Sequence, residues 1–190
     1  MELGRKINNC RMCDSDNLYQ FLDLGFLPPA DRILTKEELD YPEINFPLKV
    51  AQCQECGLTQ LTYAVNPLFL YNENYSYESS ITETGKKHFY DMADNIYKRF
   101  NLSGDFVVDI GSNVGVLLEE FKKNGCKVLG IDAAPKIVEI ANNRGIETWN
   151  DLINVDIAKK ILNEKGKAKI VCATNVFAHI DDKKGLIESL

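Results

Sequence analysis

From residue 106 onward, short apolar runs alternate with amphipathic segments whose apolar positions recur every three or four residues. Strands are predicted at 106–110, 127–132, 146–149 and 169–174, and helices at 116–124, 135–144, 155–164 and 183–190. Glycine follows two of these helices, and Pro135 stands in a first helical turn, where proline is tolerated. Repeated strand–helix units require a parallel sheet covered by helices on both faces, so the predicted fold class is α/β.

The N-terminal part of the chain has a different pattern. Five of the six prolines precede residue 70, and residues 20–70 show short apolar runs broken by turn residues. This predicts a loop-rich module with short strands at 48–52 and 58–63. A helical period then runs from residue 84 to residue 100. We predict two domains, 1–84 and 85–190, and expect the chain to be the N-terminal part of a longer protein because four parallel strands make an incomplete sheet.

Charge and hydropathy exclude several classes of partner. Residues 1–84 carry 6 Lys and Arg against 13 Asp and Glu, whereas residues 85–190 carry 16 against 15. Nucleic-acid surfaces need clustered Lys and Arg, so a nucleic-acid partner is not expected for the first module. No apolar run approaches the roughly 18 residues of a membrane helix, and the first residues do not resemble a signal peptide. The expected partner is a small molecule, and the expected compartment is the cytoplasm.

Four of the six cysteines have the spacing of metal ligands. Cys10 and Cys13 form one CxxC pair, and Cys53 and Cys56 form another. Two such turns facing each other give a four-thiolate site that suits structural zinc. Iron bound as in rubredoxin, reduced thiols and redox dithiols remain alternatives. The other two cysteines fall in predicted strands and are expected to be small core residues.

The segment DIGSNVG, residues 109–115, joins the first strand of the second domain to a helix. Its glycines let the backbone approach a ligand, and Asp109 can accept a hydrogen bond from an ammonium group. A dinucleotide-binding loop would need glycine where the chain has Asn113 and Val116, so NAD is disfavoured. Asp132 ends the next strand, where a carboxylate can hold both ribose hydroxyls. This pattern favours S-adenosylmethionine and a Rossmann-like class I methyltransferase sheet; an ordinary glycine-rich turn is the alternative.

Ten residues in and around this loop are predicted to bind the cofactor. They are Asp109, Gly111, Ser112, Asn113, Gly115, Asp132, Ala133, Asp151, Asn175 and Val176. Asn175 and Val176 are predicted to end the fourth strand, beside the first, where ligands bind in such sheets. Asp151 is expected to reach the adenine or, alternatively, to cap a helix.

Three further side chains are candidates for contact with the substrate. Tyr75 and Tyr77 lie in a tyrosine-rich stretch, where interface packing and ligand contact are both open interpretations. His179 follows the fourth predicted strand at the edge of the sheet where chemistry takes place, so it has either an active-site or a structural role.

Taken in order, the motifs CxxC, CxxCG, YSYESS, DIGSNVG, GIDAAP and NVFAHIDD resemble those of the bacterial sugar C-methyltransferases, which act on nucleotide-linked keto-deoxysugars. The resemblance runs over the whole chain. It implies a zinc-binding N-terminal domain, a central methyltransferase domain and a further C-terminal domain beyond this chain.

The resemblance also implies roles for individual residues. The four paired cysteines would bind zinc, and residues 109–115 with Asp132 would bind S-adenosylmethionine. His179 and one of Tyr75 and Tyr77 would face the sugar. In such enzymes a base forms an enolate that attacks the methyl group, and the family's principal base, a Glu–His pair, would lie beyond residue 190. An RNA methyltransferase and a non-catalytic zinc-binding interaction module are the alternatives.

Overall fold

A computed structural model describes residues 2–30, 32–72 and 74–190. The described chain forms two compact units. The first contains the residues up to Tyr75 together with Asp181–Lys184, and the second contains Ser76–Ile180 and Gly185–Leu190. Among the described residues, no helix has both the length and the apolar character needed to span a bilayer.

The first unit is built from short antiparallel strands. Its elements are β1 (Gly4–Lys6), β2 (Leu18–Leu27), β3 (Phe46–Cys53), β4 (Thr59–Leu61), β5 (Tyr63–Val65) and α1 (Pro67–Leu70), with a 3-10 helix at Glu37–Asp40. Strands β2, β3 and β4 form one sheet in that order, and β1 pairs with β5. The chain therefore enters and leaves the second CxxC turn through paired strands, because β3 ends at Cys53 and β4 begins at Thr59.

Strand β2 is absent from the sequence-based prediction. It is ten residues long, and most of its residues are exposed. Its pairing with β3 is interrupted twice by register shifts, and Gly25 has a φ of 76° beside the second shift. These bulges break the alternation of buried and exposed positions by which a strand is recognised in a sequence.

Asp181–Lys184 pack with the first unit through charged side chains. The Oδ1 atom of Asp181 lies 2.6 Å from Nε of Arg11, and its Oδ2 atom lies 2.7 Å from a terminal guanidinium nitrogen of Arg5. Lys184 pairs with Asp14 in the same region. Arg11 and Asp14 belong to the first CxxC turn and the residue that follows it, so this turn anchors the four-residue segment.

The second unit contains a parallel sheet with helices between the strands. Its elements are α2 (Glu83–Phe100), β6 (Phe106–Ile110), α3 (Val116–Lys123), β7 (Lys127–Asp132), α4 (Pro135–Asn143), β8 (Thr148–Asn150), α5 (Val155–Lys165), β9 (Ile170–Cys172) and α6 (Lys183–Glu188), the start of which lies in the first unit. The strand order is β8-β7-β6-β9, and every pair is parallel. The predicted α/β class and the position of the fourth strand beside the first are confirmed.

The central strand β6 is buried on both faces of the sheet. Val107 and Val108 are neighbours in β6, and because successive side chains of a strand point to opposite faces, they contribute to different clusters. Val107 packs with Phe121 and Leu118 of α3, whereas Val108 packs with Ile161 of α5. Helices therefore cover the two sides of β6 and fix its carboxyl end, where the DIGSNVG loop begins.

Several predicted boundaries are corrected. The third strand begins at Thr148 rather than at residue 146, and the fourth ends at Cys172 rather than at residue 174. Asn175 and Val176 therefore lie beyond the fourth strand, because the backbone turns into the left-handed region at Asn175, with a φ of 58°. Cys126 precedes β7 instead of lying within it, although it is buried as expected.

In the first unit, the predicted strand at 48–52 is the centre of the longer β3. The predicted strand at 58–63 is divided into β4 and β5, which pair with different partners. Thr62 stands between them, and its backbone N–H donates to the carbonyl of Lys49 at 3.0 Å.

Candidate cofactor and metal sites

Asp109 occupies the fourth position of the central strand β6 and is 4% exposed. Among the described residues, its Oδ1 atom is buried without a hydrogen-bond partner, as is the Oγ atom of Ser112 three residues later. Buried polar atoms are nearly always paired, so two such atoms in one short loop indicate a place where a polar ligand completes the bonding. Burial raises the pKa of the Asp109 carboxyl to about 7, and the nearby negative charge of Asp132 adds to this effect.

The loop after β6 lies close against other parts of the second unit. Gly111 has a φ of 65°, and a Cβ atom at that position would lie 2.4 Å from Cγ2 of Val176. Gly115, the N-cap of α3, has a φ of 80°, and its Cβ atom would lie 2.9 Å from Cγ2 of Ile146. Both positions therefore require glycine for its backbone conformation and for the close contact. The first N–H groups of α3, which have no partners within the helix, open onto this loop.

Asp132 ends β7 and organises the neighbouring backbone. Its Oδ2 atom accepts the N–H of Asn113 at 2.9 Å, and its Oδ1 atom accepts the N–H of Ala134 at 3.0 Å. Burial raises the pKa of the carboxyl, while backbone N–H groups, including that of Ala133, act in the opposite direction. A carboxylate has about four acceptor positions, so both oxygens retain capacity for the hydroxyls of a ribose.

Gly130, in the middle of β7, is a part of the site that sequence reasoning missed. A Cβ atom there would lie 2.3 Å from Oγ of Ser112 and 2.8 Å from Oγ1 of Thr148. The absence of a side chain thus lets the loop fold over β7, where the N–H groups of Gly111 and Ser112 donate to the carbonyl of Ile131 at 2.7 and 3.2 Å. A glycine inside a buried strand was the available signal, because it often marks a close backbone approach.

Asn113 adopts a left-handed conformation, with a φ of 52°. Its side chain is directed to the tyrosine-rich segment: Oδ1 accepts the backbone N–H of Ser79 at 2.8 Å, and Nδ2 donates to the carbonyl of Tyr77 at 2.9 Å. The predicted cofactor residue therefore joins the loop to a segment more than thirty residues earlier. No local sequence pattern indicates this connection.

The residues after β9 approach the loop through Val176, which contacts Gly111 as described above. Asn175 and His179 are both exposed, and His179 ends a 3-10 helix at Phe177–His179. Asp151 follows β8, and its N–H donates to the carbonyl of Asp132 at 3.1 Å. The alternative role of Asp151 as a helix cap is wrong, because Asn154 is the N-cap of α5.

The two candidate tyrosines lie in different units. Tyr75 belongs to the first, where its ring packs edge-on against Tyr71 with 5.3 Å between the centroids. Tyr77 belongs to the second, and its side chain is largely exposed, with 54% of the residue accessible. The backbone of Tyr77 is held by Asn113, whereas its ring is free to contact a ligand.

The four paired cysteines meet in the first unit. Their Sγ atoms all lie within 4.8 Å of one another, with 3.5 Å between Cys10 and Cys56 and 3.6 Å between Cys13 and Cys53. Zinc–sulfur bonds of about 2.3 Å in a tetrahedron place sulfur atoms roughly 3.8 Å apart, so the four thiols fit one zinc ion. Each short distance joins one turn to the other, as a shared ion requires.

The two CxxC turns have the same backbone structure. The N–H of Cys10 donates to the carbonyl of Ser15, and the N–H of Cys53 donates to that of Leu58, both at 2.8 Å. The residue after the second cysteine is left-handed in each turn, at Asp14 (φ 61°) and at Gly57 (φ 77°). The expected contribution of the glycine is thus present, and aspartate, which tolerates this conformation, replaces it in the other turn.

Further contacts hold the two turns. Backbone N–H groups, first that of Cys56 and then that of Glu55, lower the pKa of the Cys53 thiol to about 7, whereas burial and hydrogen bonds with the neighbouring thiols raise the pKa of the Cys13 thiol. Gln60 is 5% exposed; its Oε1 atom accepts the N–H of Arg11 at 2.9 Å and its Nε2 atom donates to the carbonyl of Asn9 at 3.0 Å. This glutamine, which sequence analysis did not single out, ties β4 to the first turn.

Comparison with protein families identifies both parts of the chain. A model described as a methyltransferase domain matches residues 85–190, and one described as a zinc binding domain matches residues 10–71. The chain belongs to the methyltransferase domain family. Its fold is that of a class I methyltransferase. The loop predicted to bind S-adenosylmethionine lies within the region matched by the methyltransferase model, and the four cysteines predicted to bind zinc lie within the region matched by the zinc-binding model.

Individual relatives agree with this assignment. The C-methyltransferase NovU of Streptomyces niveus is 33% identical over 182 residues, which are 95% of this methyltransferase chain and 43% of NovU. A ubiquinone biosynthesis O-methyltransferase of Cupriavidus pinatubonensis is 29% identical over 90 residues, 46% of this chain and 36% of the relative. The chain thus spans less than half the length of either relative.

Among solved structures, similarity extends over part of the chain. One match is the magnesium protoporphyrin IX methyltransferase of Synechocystis, solved with bound S-adenosylmethionine. The match covers 55% of this chain and 51% of that protein, at 20% identity and a TM-score of 0.44. The plantazolicin methyltransferase BpumL, in complex with S-adenosylhomocysteine, covers 57% at 18% identity, with a TM-score of 0.44 and 43% of its length matched.

Proposed function

We propose that this chain is the N-terminal part of an enzyme that transfers the methyl group of S-adenosylmethionine to a carbon of a nucleotide-linked keto-deoxysugar. The observation that carries the methyl-transfer part is the loop between β6 and α3, where an oxygen of buried Asp109 has no hydrogen-bond partner in the described part of the chain and Asp132 stands at the end of the adjacent strand. Similarity to a C-methyltransferase over 95% of the chain supports carbon as the acceptor. The order of the sequence motifs, which resembles that of the sugar C-methyltransferases, supports a nucleotide-linked sugar as the substrate.

The cofactor is bound along the carboxyl ends of β6, β7 and β8. Asp109 accepts from the ammonium group of the cofactor, and the backbone of residues 111–115 holds its methionine portion. Asp132 accepts from the ribose hydroxyls, with Ala133 beside it, and Asp151 lies toward the adenine. Asn175 and Val176 flank the sulfonium, a role supported for Val176 by its contact with Gly111.

The chemical step needs a carbon nucleophile. A base removes a proton from the carbon next to the ketone, and the enolate carbon attacks the methyl group in line with the departing sulfur, which leaves as neutral S-adenosylhomocysteine. His179 and Tyr77, with Tyr75 as the alternative tyrosine, stabilise the enolate oxygen or assist the proton transfer. The principal base belongs to the part of the enzyme beyond residue 190.

The predicted zinc-binding module, residues 1–84, contains the part of the first compact unit that ends at Tyr75 and, in addition, residues 76–84, which belong to the second compact unit. Four protein thiolates leave no open position on the metal, so the role of the zinc is structural. Residues 85–190 form the cofactor-binding part of the catalytic domain. The enzyme acts in the cytoplasm on a small-molecule substrate, without a nucleic-acid or membrane partner.

The test uses the full-length enzyme, S-adenosylmethionine with a deuterated methyl group, and a purified nucleotide-linked keto-deoxysugar. The proposal predicts a product that gains one labelled methyl group and loses one carbon-bound proton, with carbon–carbon attachment shown by NMR. Methylation of a sugar hydroxyl would contradict the carbon acceptor, and no product with any such sugar would contradict the substrate class. A folded enzyme that does not bind S-adenosylhomocysteine in calorimetry would favour a non-catalytic zinc-binding interaction module.

A further inference from the structure

Asn113 makes three hydrogen bonds in three directions. Its backbone N–H donates to Asp132, while its side-chain amide accepts from Ser79 and donates to Tyr77, at distances of 2.8–2.9 Å. Both polar atoms of the amide are thereby engaged outside the loop that contains Asn113. One residue thus connects the proposed ribose ligand to the backbone of the tyrosine-rich segment, and all four residues lie in the second unit.

The conformation of Asn113 makes these bonds possible. A left-handed backbone, with a φ of 52°, is favourable for asparagine and glycine and unfavourable for most other side chains. Of the two, only asparagine carries an amide that can bond to a neighbouring peptide group as donor and acceptor at once. The position therefore requires the turn and the side chain together.

The segment held by Asn113 is fixed at its other end by α2. Thr82 caps this helix, with its Oγ1 atom accepting the N–H of Gly85 at 3.1 Å. Only two residues separate Ser79 from Thr82, so the backbone of residues 77–82 is held between the cofactor loop and the helix. The side chain of Tyr77 remains exposed, so it is the backbone, rather than ring packing, that sets where this ring projects.

We propose that Asn113 is a positioning residue that fastens residues 77–79 to the cofactor loop and so places Tyr77 for contact with the methyl acceptor. The role in acceptor binding rests on the proposed function, whereas the fastening itself does not. The side chain of Asn113 contributes to acceptor recognition instead of contacting the cofactor.

The test compares Asn113→Gly with Asn101→Gly. Glycine accepts the left-handed turn and keeps the backbone N–H to Asp132, so Asn113→Gly removes only the two side-chain bonds. Asn101 is the matched control, because it is also left-handed (φ 49°) and, within the described chain, its side chain makes no hydrogen bond. Amide hydrogen exchange of residues 77–82 and calorimetric binding of S-adenosylhomocysteine are measured on both, using the full-length enzyme.

We expect Asn113→Gly to accelerate exchange of residues 77–82 by about tenfold and to change affinity for S-adenosylhomocysteine by less than about threefold. In turnover assays KM for the sugar rises while KM for S-adenosylmethionine is unchanged, and Asn101→Gly alters none of these. Unchanged exchange in Asn113→Gly would overturn the proposal, as would a loss of cofactor affinity without faster exchange. If the wild-type enzyme methylates no sugar, the proposed function fails, yet the exchange measurement still tests the fastening.

Discussion

Val176 lies directly over Gly111, so that a β-carbon on the glycine would lie 2.4 Å from Cγ2 of the valine. This contact brings the residues after β9 against the first turn of the cofactor loop. Because Gly111 also has a left-handed φ of 65°, the position is restricted by conformation and by space. The loop can keep its shape only while residue 111 has no side chain.

Replacing Gly111 with alanine tests this restriction. We expect Gly111→Ala to reduce affinity for S-adenosylhomocysteine at least tenfold, because the methyl group displaces either the loop or Val176. Gly125→Ala is the control: it introduces a similar backbone strain, with a φ of 85°, but has open space around its Cβ position. Calorimetry should find its affinity unchanged. If the double variant Gly111→Ala/Val176→Ala partly recovers the affinity, the loss is due to the contact between residues 111 and 176. Equal losses of affinity in Gly111→Ala and Gly125→Ala would refute this explanation.

The buried Asp109 predicts a pH dependence of stability. Its pKa is about 7 in the folded chain and 3.8 in the absence of structure. The folded state therefore holds the proton more tightly than the unfolded state does. The contribution of the Asp109 carboxyl to the free energy of unfolding is complete below about pH 4 and is lost as the pH rises to about 7. Without cofactor, the free energy of unfolding should fall by up to about 3 kcal/mol between pH 5 and pH 8 on account of this group.

Asp109→Asn isolates that contribution. Urea unfolding of the wild type and the variant should give similar stabilities at about pH 4, and the variant should become progressively more stable than the wild type up to pH 8. Both proteins contain the same zinc site, so the difference between them cancels the pH dependence of metal binding. Parallel pH profiles would mean that Asp109 ionises normally in the folded chain.

The four-cysteine cluster predicts one zinc per chain. Cys53→Ser should lose most of the metal and destabilise the first unit, because a missing thiolate leaves an incomplete tetrahedron. Cys172→Ala, which changes a cysteine in β9, should retain a full equivalent. Elemental analysis by mass spectrometry measures both. Iron in place of zinc, or a metal content far below one equivalent with no structural change on chelation, would contradict the assignment.

His179 is predicted to act on the substrate rather than on the cofactor. In the full-length enzyme, His179→Asn should lower kcat about 100-fold and leave affinity for S-adenosylhomocysteine unchanged, as expected for a residue that assists proton transfer. The chain has one other histidine, the exposed His88 of α2, and His88→Asn should retain full activity. Similar kcat values for the two variants would assign His179 a structural role or none.

The parallel sheet could be predicted closely because its strands are buried on both faces and its helices have a clear period. Phe106–Ile110 and Lys127–Asp132 begin and end where the sequence predicted. Prediction was less accurate at β9, where three residues of strand are followed by the left-handed Asn175. A short strand with a turn behind it has too few positions to define a period.

The contacts that complete the site could not be predicted because they join distant parts of the chain. Asn113 is 34 residues from Ser79 along the sequence, and Gln60 is 49 residues from Arg11. Nothing in the local pattern around these polar side chains indicates a partner. The β2 strand was missed for the opposite reason, since its apolar residues are exposed and its bulges remove the alternation.

We expect S-adenosylmethionine to bind between Asp109 and Asp132, and calorimetry with S-adenosylhomocysteine measures this binding. The wild type should have one site per chain, and Asp132→Asn, which loses charged hydrogen bonds to the ribose, should bind at least tenfold more weakly. Asp94→Asn, on the exposed face of α2, should bind as the wild type does. Equal affinities in all three proteins, or no binding to a folded wild type, would show that the cofactor does not bind between these carboxylates.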